Sequence, residues 1–132
     1  MTFSISVIVP AYNVEQFIEK AIVSIIQQPE VSEILVINDG STDKTLEIVE
    51  KLQKNDYKIK IFNHYNSINK GRSASRNLGI KNAKENYIAF LDADDFYLEN
   101  RFANDKKIFD KNKYIDGVYN AVGCFRIRIK KA

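Results

Sequence analysis

The sequence has one cysteine, one histidine and no tryptophan among its 132 residues. A lone Cys124 excludes an internal disulfide framework and fits a reducing compartment. His64 has no second histidine or cysteine near it in the chain, so it reads as an exposed loop residue rather than a metal ligand. No apolar run approaches the ~18 residues needed to cross a bilayer. The opening residues 1–9 lack a basic leader and a small-residue cleavage site, and read as a strand instead of a signal peptide. The expected location is therefore the cytoplasm. A net charge of +3 is too small for a dedicated nucleic-acid binder, so no nucleic-acid partner is expected. No Gly-x-Gly-x-x-Gly follows the first strand, which excludes a dinucleotide-binding module. Repeats, low-complexity tracts and linkers are also absent.

What is present is one domain's worth of chain, 45% hydrophobic and 28% charged, enough to bury a single core. Ile5-Ser6-Val7-Ile8-Val9, bounded by Pro10, is a buried first strand. Asn13 and Gln16 have the spacing of a capping box for a helix. Its Phe17, Ile18, Ala21, Ile22, Ile25 and Ile26 form one apolar stripe, and Pro29 closes it. A second strand spans residues 33–38, and a helix spans about 43–54 with Ser41 or Thr42 as its cap. Residues 58–62 alternate as a half-exposed edge strand would. A polar stretch over 63–75 leads into a helix at about 74–84. Tyr87-Ile88-Ala89-Phe90-Leu91 is unbroken apolar sequence, the pattern of a central strand buried on both faces. A helix ending near Asn112 and a strand-like stretch over 115–129 follow, with 125–132 as an atypical tail. This alternation predicts an α/β fold with a parallel-rich sheet flanked by helices.

Two strands end in acidic loops, at Asp39 and at Asp92-Ala93-Asp94-Asp95. In open α/β sheets ligands collect outside the carboxyl ends of the strands. Taken alone, the aspartates after the late strand read equally as a solvated turn or a helix cap. Clustered carboxylates stay ionised together only when a cation or strong donors offset them. The Asp92-x-Asp94 spacing suits one hard cation with oxygen ligands. If the tips of strands two and four lie side by side, both loops address one ligand. A nucleoside diphosphate carrying a cation fits: Tyr12 offers a flat face to a base and Asp39 an acceptor to a base N–H or a ribose hydroxyl. Lys70, Arg72 or Arg76 would offset the remaining negative charge.

Four motifs in order carry a resemblance: Val7-Ile8-Val9-Pro10-Ala11-Tyr12-Asn13, Val36-Ile37-Asn38-Asp39-Gly40-Ser41-Thr42-Asp43, Asn69-Lys70-Gly71-Arg72-Ser73-Ala74-Ser75-Arg76-Asn77, and Phe90-Leu91-Asp92-Ala93-Asp94-Asp95. Over residues 4–101 the protein resembles the nucleotide-binding half of a family 2 glycosyltransferase of the Rossmann-like GT-A fold. The resemblance implies a single GT-A-like domain over 1–132 whose C-terminal acceptor half is missing. It places Pro10, Ala11 and Tyr12 around the base, Asp39 as the carboxylate that reads it, and Glu15 as an acidic lining residue. Asp92, Ala93 and Asp94 match the family's DxD, with Asp92 near ribose and phosphate and Asp94 ligating Mn²⁺ or Mg²⁺. The implied reaction is inverting transfer of a sugar from a nucleotide donor, usually a UDP-sugar, to a saccharide or lipid-linked acceptor. Polysaccharide or cell-envelope assembly is the implied setting, with peripheral association at the inner face of a bacterial membrane. The resemblance puts the general base well beyond these motifs, in the missing acceptor half, and a nucleotide-sugar-binding remnant without turnover is the alternative. A phosphatase of the haloacid dehalogenase type also uses paired aspartates after a strand. It wants them early, with a hydroxyl residue two places past the pair, where this protein has Phe96.

Overall fold

The computed structural model describes residues 3–119. Contacts divide the chain into two units, residues 1–102 and 103–132. The first holds strands β1 (Ile5–Ala11), β2 (Val31–Asn38), β3 (Ile59–Asn63) and β4 (Tyr87–Phe90), with helices α1 (Ile18–Ile26), α2 (Thr45–Asn55) and α3 (Arg72–Asn82). The second holds helix α4 (Ala103–Lys111). Residues 115–119 carry no regular structure. The rest of the strand expected over 115–129, with Cys124 and the tail, lies outside the described residues.

All pairings are parallel, in the order β3-β2-β1-β4. Every residue of β1 is buried, because helices cover both faces of the strand. On one face Val7, Val9, Ile34 and Val36 pack with Ile18, Ile22 and Ile25 of α1 and Val49 of α2. On the other face Ile8, Leu35 and Ile37 pack with Leu78 of α3. Gly79 lets α3 press onto β1: a Cβ there would lie 2.5 Å from Ile8 Cγ2.

Two expectations change. β4 is an edge strand among the described residues, not a central one. It pairs only with β1, and Ile88 and Phe90 are 42% and 45% exposed. Both point to the α3 side of the sheet, where α3 packs on β1 and β2. Tyr87 and Ala89 pack on the opposite face. The α1 stripe also begins at Ile18, since Phe17 is 52% exposed.

Away from the strand tips, a buried carboxylate joins the sheet. Glu33 of β2 accepts Ser6 Oγ–H from β1 (2.6 Å), the Lys84 amide (2.9 Å) and Lys60 Nζ–H from β3 (2.6 Å). Ser6 Oγ in turn accepts the Glu85 amide at 3.1 Å. Burial alone would raise the Glu33 pKa, but the donors of Lys60, Ser6 and Lys84 outweigh it and hold the carboxyl below its usual range. A folded pKa below the unfolded one contributes stability above the ordinary value of 4.5, and loses it as pH falls through the folded value. Glu33→Gln is expected to destabilise the protein at neutral pH by about 1–3 kcal/mol. It should also flatten the loss of stability on acidification, measured by urea unfolding across a pH series. An acid limb unchanged in the variant would contradict this role.

Candidate functional site

The carboxyl ends of β1, β2 and β4 open onto one cavity of about 210 Å³. Pro10 and Ala11 end β1 at it and Tyr12 follows them, Asp39 follows β2, and Asp92, Ala93 and Asp94 come after β4. Asn69, Gly71 and Arg72, at the start of α3, form the remaining wall with Val14. The acidic loops do converge, though not from neighbouring strands. β1 lies between β2 and β4, so the loops reach the cavity from either side of it.

Asp39 is 4% exposed, and its carboxylate holds the wall together. Oδ1 accepts the Lys70 amide at 2.6 Å and Oδ2 the Gly71 amide at 3.0 Å. Its own amide donates to the Ala11 carbonyl at 2.8 Å, which fixes it against the end of β1. Gly40 makes the approach feasible. Its φ is +76°, and a Cβ would sit 2.7 Å from the Asn69 nitrogen. His64 is buried against this junction rather than exposed, and no spacing pattern in the sequence signals that contact.

On the β4 side, Asp92, Asp94 and Asp95 each offer a carboxylate oxygen within 4.8 Å of the others. Arg76 donates to Asp92 Oδ1 at 2.9 Å, leaving its second oxygen available. Burial raises the Asp95 pKa, and the charges of Asp94 and Asp92 raise it further. Three oxygens at this spacing, with unrelieved repulsion, fit a hard divalent cation after small side-chain rotations. Asp95 is the member of this trio that the DxD spacing leaves out. The segment that follows is fastened to α1: the Tyr97 amide donates to Ser24 Oγ, and the Arg101 amide to the buried Gln28 side chain, both at 3.0 Å.

Three expected residues sit differently. Lys70 contributes its backbone amide to Asp39, and its side chain does not line the cavity. Arg76 is engaged with Asp92 instead of lining the cavity. Glu15 lies in a second hollow with Asn13 and Asp43, and its Oε2 accepts the Lys44 amide at the start of α2. Reciprocally, Asp43 accepts the Glu15 amide and the Thr45 amide. Asn13 does not cap α1. Its Oδ1 accepts the Thr42 amide at 2.8 Å and the Asp43 amide at 3.3 Å, so both side chains brace the β2–α2 loop.

Residues 6–130 match the family model described as glycosyl transferase family 2. An "uncharacterized glycosyltransferase" of Haemophilus influenzae is 41% identical over 103 residues, covering 77% of this chain and 38% of that protein. The minor teichoic acid biosynthesis protein GgaB of Bacillus subtilis is 40% identical over 114 residues, covering 84% of this chain and 12% of that protein. The crystal structure of S. aureus TarS 1-349 in complex with UDP-GlcNAc matches with TM-score 0.75 at 30% identity, over 93% of this chain and 37% of that one. The helix-flanked parallel sheet is the Rossmann-like GT-A fold of such enzymes. The chain spans little more than a third of these proteins' length, or less.

The repulsion among the aspartates has a measurable consequence. A carboxyl whose folded pKa is raised destabilises the fold once pH rises through that value. Asp95→Asn is expected to raise the metal-free melting temperature at pH 7 by about 1–3 °C. It should also reduce the further rise expected on adding Mn²⁺ to the unaltered protein. A lower melting temperature in the variant without metal would contradict the reading.

Proposed function

The chain belongs to glycosyl transferase family 2, and on that premise we propose that its cavity binds the nucleoside diphosphate of a sugar donor. The observation that carries this is the convergence of Tyr12, Asp39 and Asp94 on one cavity. Tyr12, half exposed at its rim, supplies a face for the base. Asp39 supplies an acceptor for a base N–H, which favours uracil. Pro10 and Ala11 line the same cavity, and Ala93, small and buried, lines it between the two aspartates. Gly71 and Arg72 present the start of an eleven-residue helix to the cavity, an end that favours phosphate. Asp92, Asp94 and Asp95 would hold Mn²⁺ or Mg²⁺. When bound, the ion offsets charge growing on the departing diphosphate. Arg76 keeps Asp92 oriented toward it.

The reaction is transfer of the sugar, with inversion, to a saccharide or lipid-linked acceptor. The similarity to the minor teichoic acid biosynthesis protein GgaB supports a role in bacterial cell-envelope polymer synthesis, and the setting proposed for it is peripheral, at the inner face of the membrane. No helix among the described residues is long and apolar enough to cross a membrane. Residues 1–132 make up the donor-binding part of one GT-A-like domain. The carboxylates that line the cavity are assigned to base and cation, so the general base is assigned to none of them. Donor binding without transfer or hydrolysis would mark this protein as a nucleotide-sugar-binding module rather than a complete catalyst.

Calorimetric titration of UDP, with and without Mn²⁺, tests the site. Mn²⁺-dependent binding is expected in the unaltered protein, with at least about a tenfold loss in Asp94→Ala. Equal affinities in all four conditions would overturn the assignment.

A further inference from the structure

Residues 91–96, which carry Asp92, Asp94 and Asp95, are held at both ends. At the entry the Leu91 amide donates to the Ile8 carbonyl of β1 at 3.1 Å. At the exit the Tyr97 hydroxyl donates back to the Phe90 carbonyl at 2.8 Å, which closes the loop at its base. The Tyr97 amide donates to Ser24 Oγ of α1 at 3.0 Å, and Lys20 Nζ stands 4.0 Å over the Phe96 ring.

Gln28, just past the end of α1, is 1% exposed. Its Nε2 donates to the Leu98 carbonyl at 2.8 Å and to the Ser24 carbonyl at 3.1 Å, while its Oε1 accepts the Arg101 amide at 3.0 Å. Leu98 and Arg101 flank the turn at Glu99 and Asn100, and the carbonyl and amide on either side of such a turn often pair with each other. Here one buried side-chain amide takes both. An amide supplies donors and an acceptor together, whereas an ionised carboxylate of the same size lacks the donor. Three like charges push the aspartate loop open, and anchored ends keep its carboxylates from relaxing apart. We propose that Gln28 is a positioning residue for the cation site: by gripping residues 98–101 it holds Asp94 and Asp95 beside Asp92 in the ion-free protein, and so sets the affinity for a divalent cation. The inference rests on the reading that these aspartates take the cation. All three hydrogen-bond partners of Gln28 are backbone groups, so it acts through the chain that carries the aspartates.

Binding of Mn²⁺ alone is followed through the paramagnetic resonance signal of the free ion. The unaltered protein is compared with Gln28→Met, which fills similar space without an amide, and with Ser24→Ala, which removes the acceptor for the Tyr97 amide. Melting temperatures, and amide exchange at Lys70 and Gly71 on the opposite wall, are recorded for all three. Gln28→Met is expected to weaken Mn²⁺ binding about tenfold and Ser24→Ala about threefold, with Lys70 and Gly71 exchanging as in the unaltered protein. Unchanged Mn²⁺ binding in folded Gln28→Met overturns the proposal. So does a loss accompanied by faster exchange at Lys70 and Gly71, the mark of a general loosening. If Gln28→Met does not fold, Ser24→Ala decides on the same two criteria. Coupling is reciprocal, so in the unaltered protein Mn²⁺ should slow exchange of the Tyr97 and Arg101 amides more than that of the β2 amides, and an equal effect on both overturns the proposal without any variant. If the unaltered protein takes up no Mn²⁺, the cation-site reading fails and this inference fails with it. If it takes up Mn²⁺ and the variants do so equally well, only this inference fails.

Discussion

Two backbone amides held by one buried carboxylate give this molecule its cavity. Asp39 accepts the Lys70 and Gly71 N–H groups, each oxygen taking one. This pins the segment that leads into α3 against the tip of β2. Hydrogen bonds to an ionised acceptor are worth about 1.5–3 kcal/mol each, enough to hold a polar loop that has little apolar packing. Gly40 beside Asp39 lets the two backbones meet at a distance no other residue allows. Without that clamp, the wall formed by Asn69, Gly71 and Arg72 has no fixed place relative to Tyr12 and the aspartates.

The opposite wall follows a different logic. Asp92, Asp94 and Asp95 repel one another, and Arg76 neutralises only the first. The fold tolerates this because the segment immediately downstream is tied to α1 through Ser24 and Gln28. A sheet secured at Glu33, away from the cavity, ties β1, β2 and β3 together. One side is held closed by complementary groups, and the other keeps three carboxylates close together, as the proposed cation site requires. Such unrelieved repulsion is typical of a site kept ready for a ligand rather than optimised for stability.

The parts legible in the sequence were those whose signal is local. Ile5 to Val9 and Ile34 to Ile37 are too apolar and β-branched to lie anywhere but inside a covered parallel sheet. The stripe from Phe17 to Ile26 reads as an inward helix face, and all of it but the exposed Phe17 is one. Asp39 and the Asp92-x-Asp94 pair follow strands, which brings them to the carboxyl edge whatever the strand order. The strand order itself was not legible. An unbroken apolar run such as Tyr87 to Leu91 looks the same whether its second face is covered by a helix or left open. Nor were partners distant in sequence. Asn13 and Glu15 have the spacing of a helix start, yet their oxygens go to amides about thirty residues away. His64 reads as a polar loop residue until folding sets it against Ser75 and Asp39.

Amide hydrogen exchange at Lys70 and Gly71 tests the clamp most directly. Lys70 is exposed and Gly71 only half-buried, so protection there has to come from the Asp39 carboxylate and not from burial. Residue-resolved exchange in the ligand-free protein should find both amides protected. In Asp39→Ala they should exchange at loop rates while those of β1 and β2 stay slow. Fast exchange at both positions in the unaltered protein would mean that the cavity wall is not held in place before ligand binds, and the account would fail.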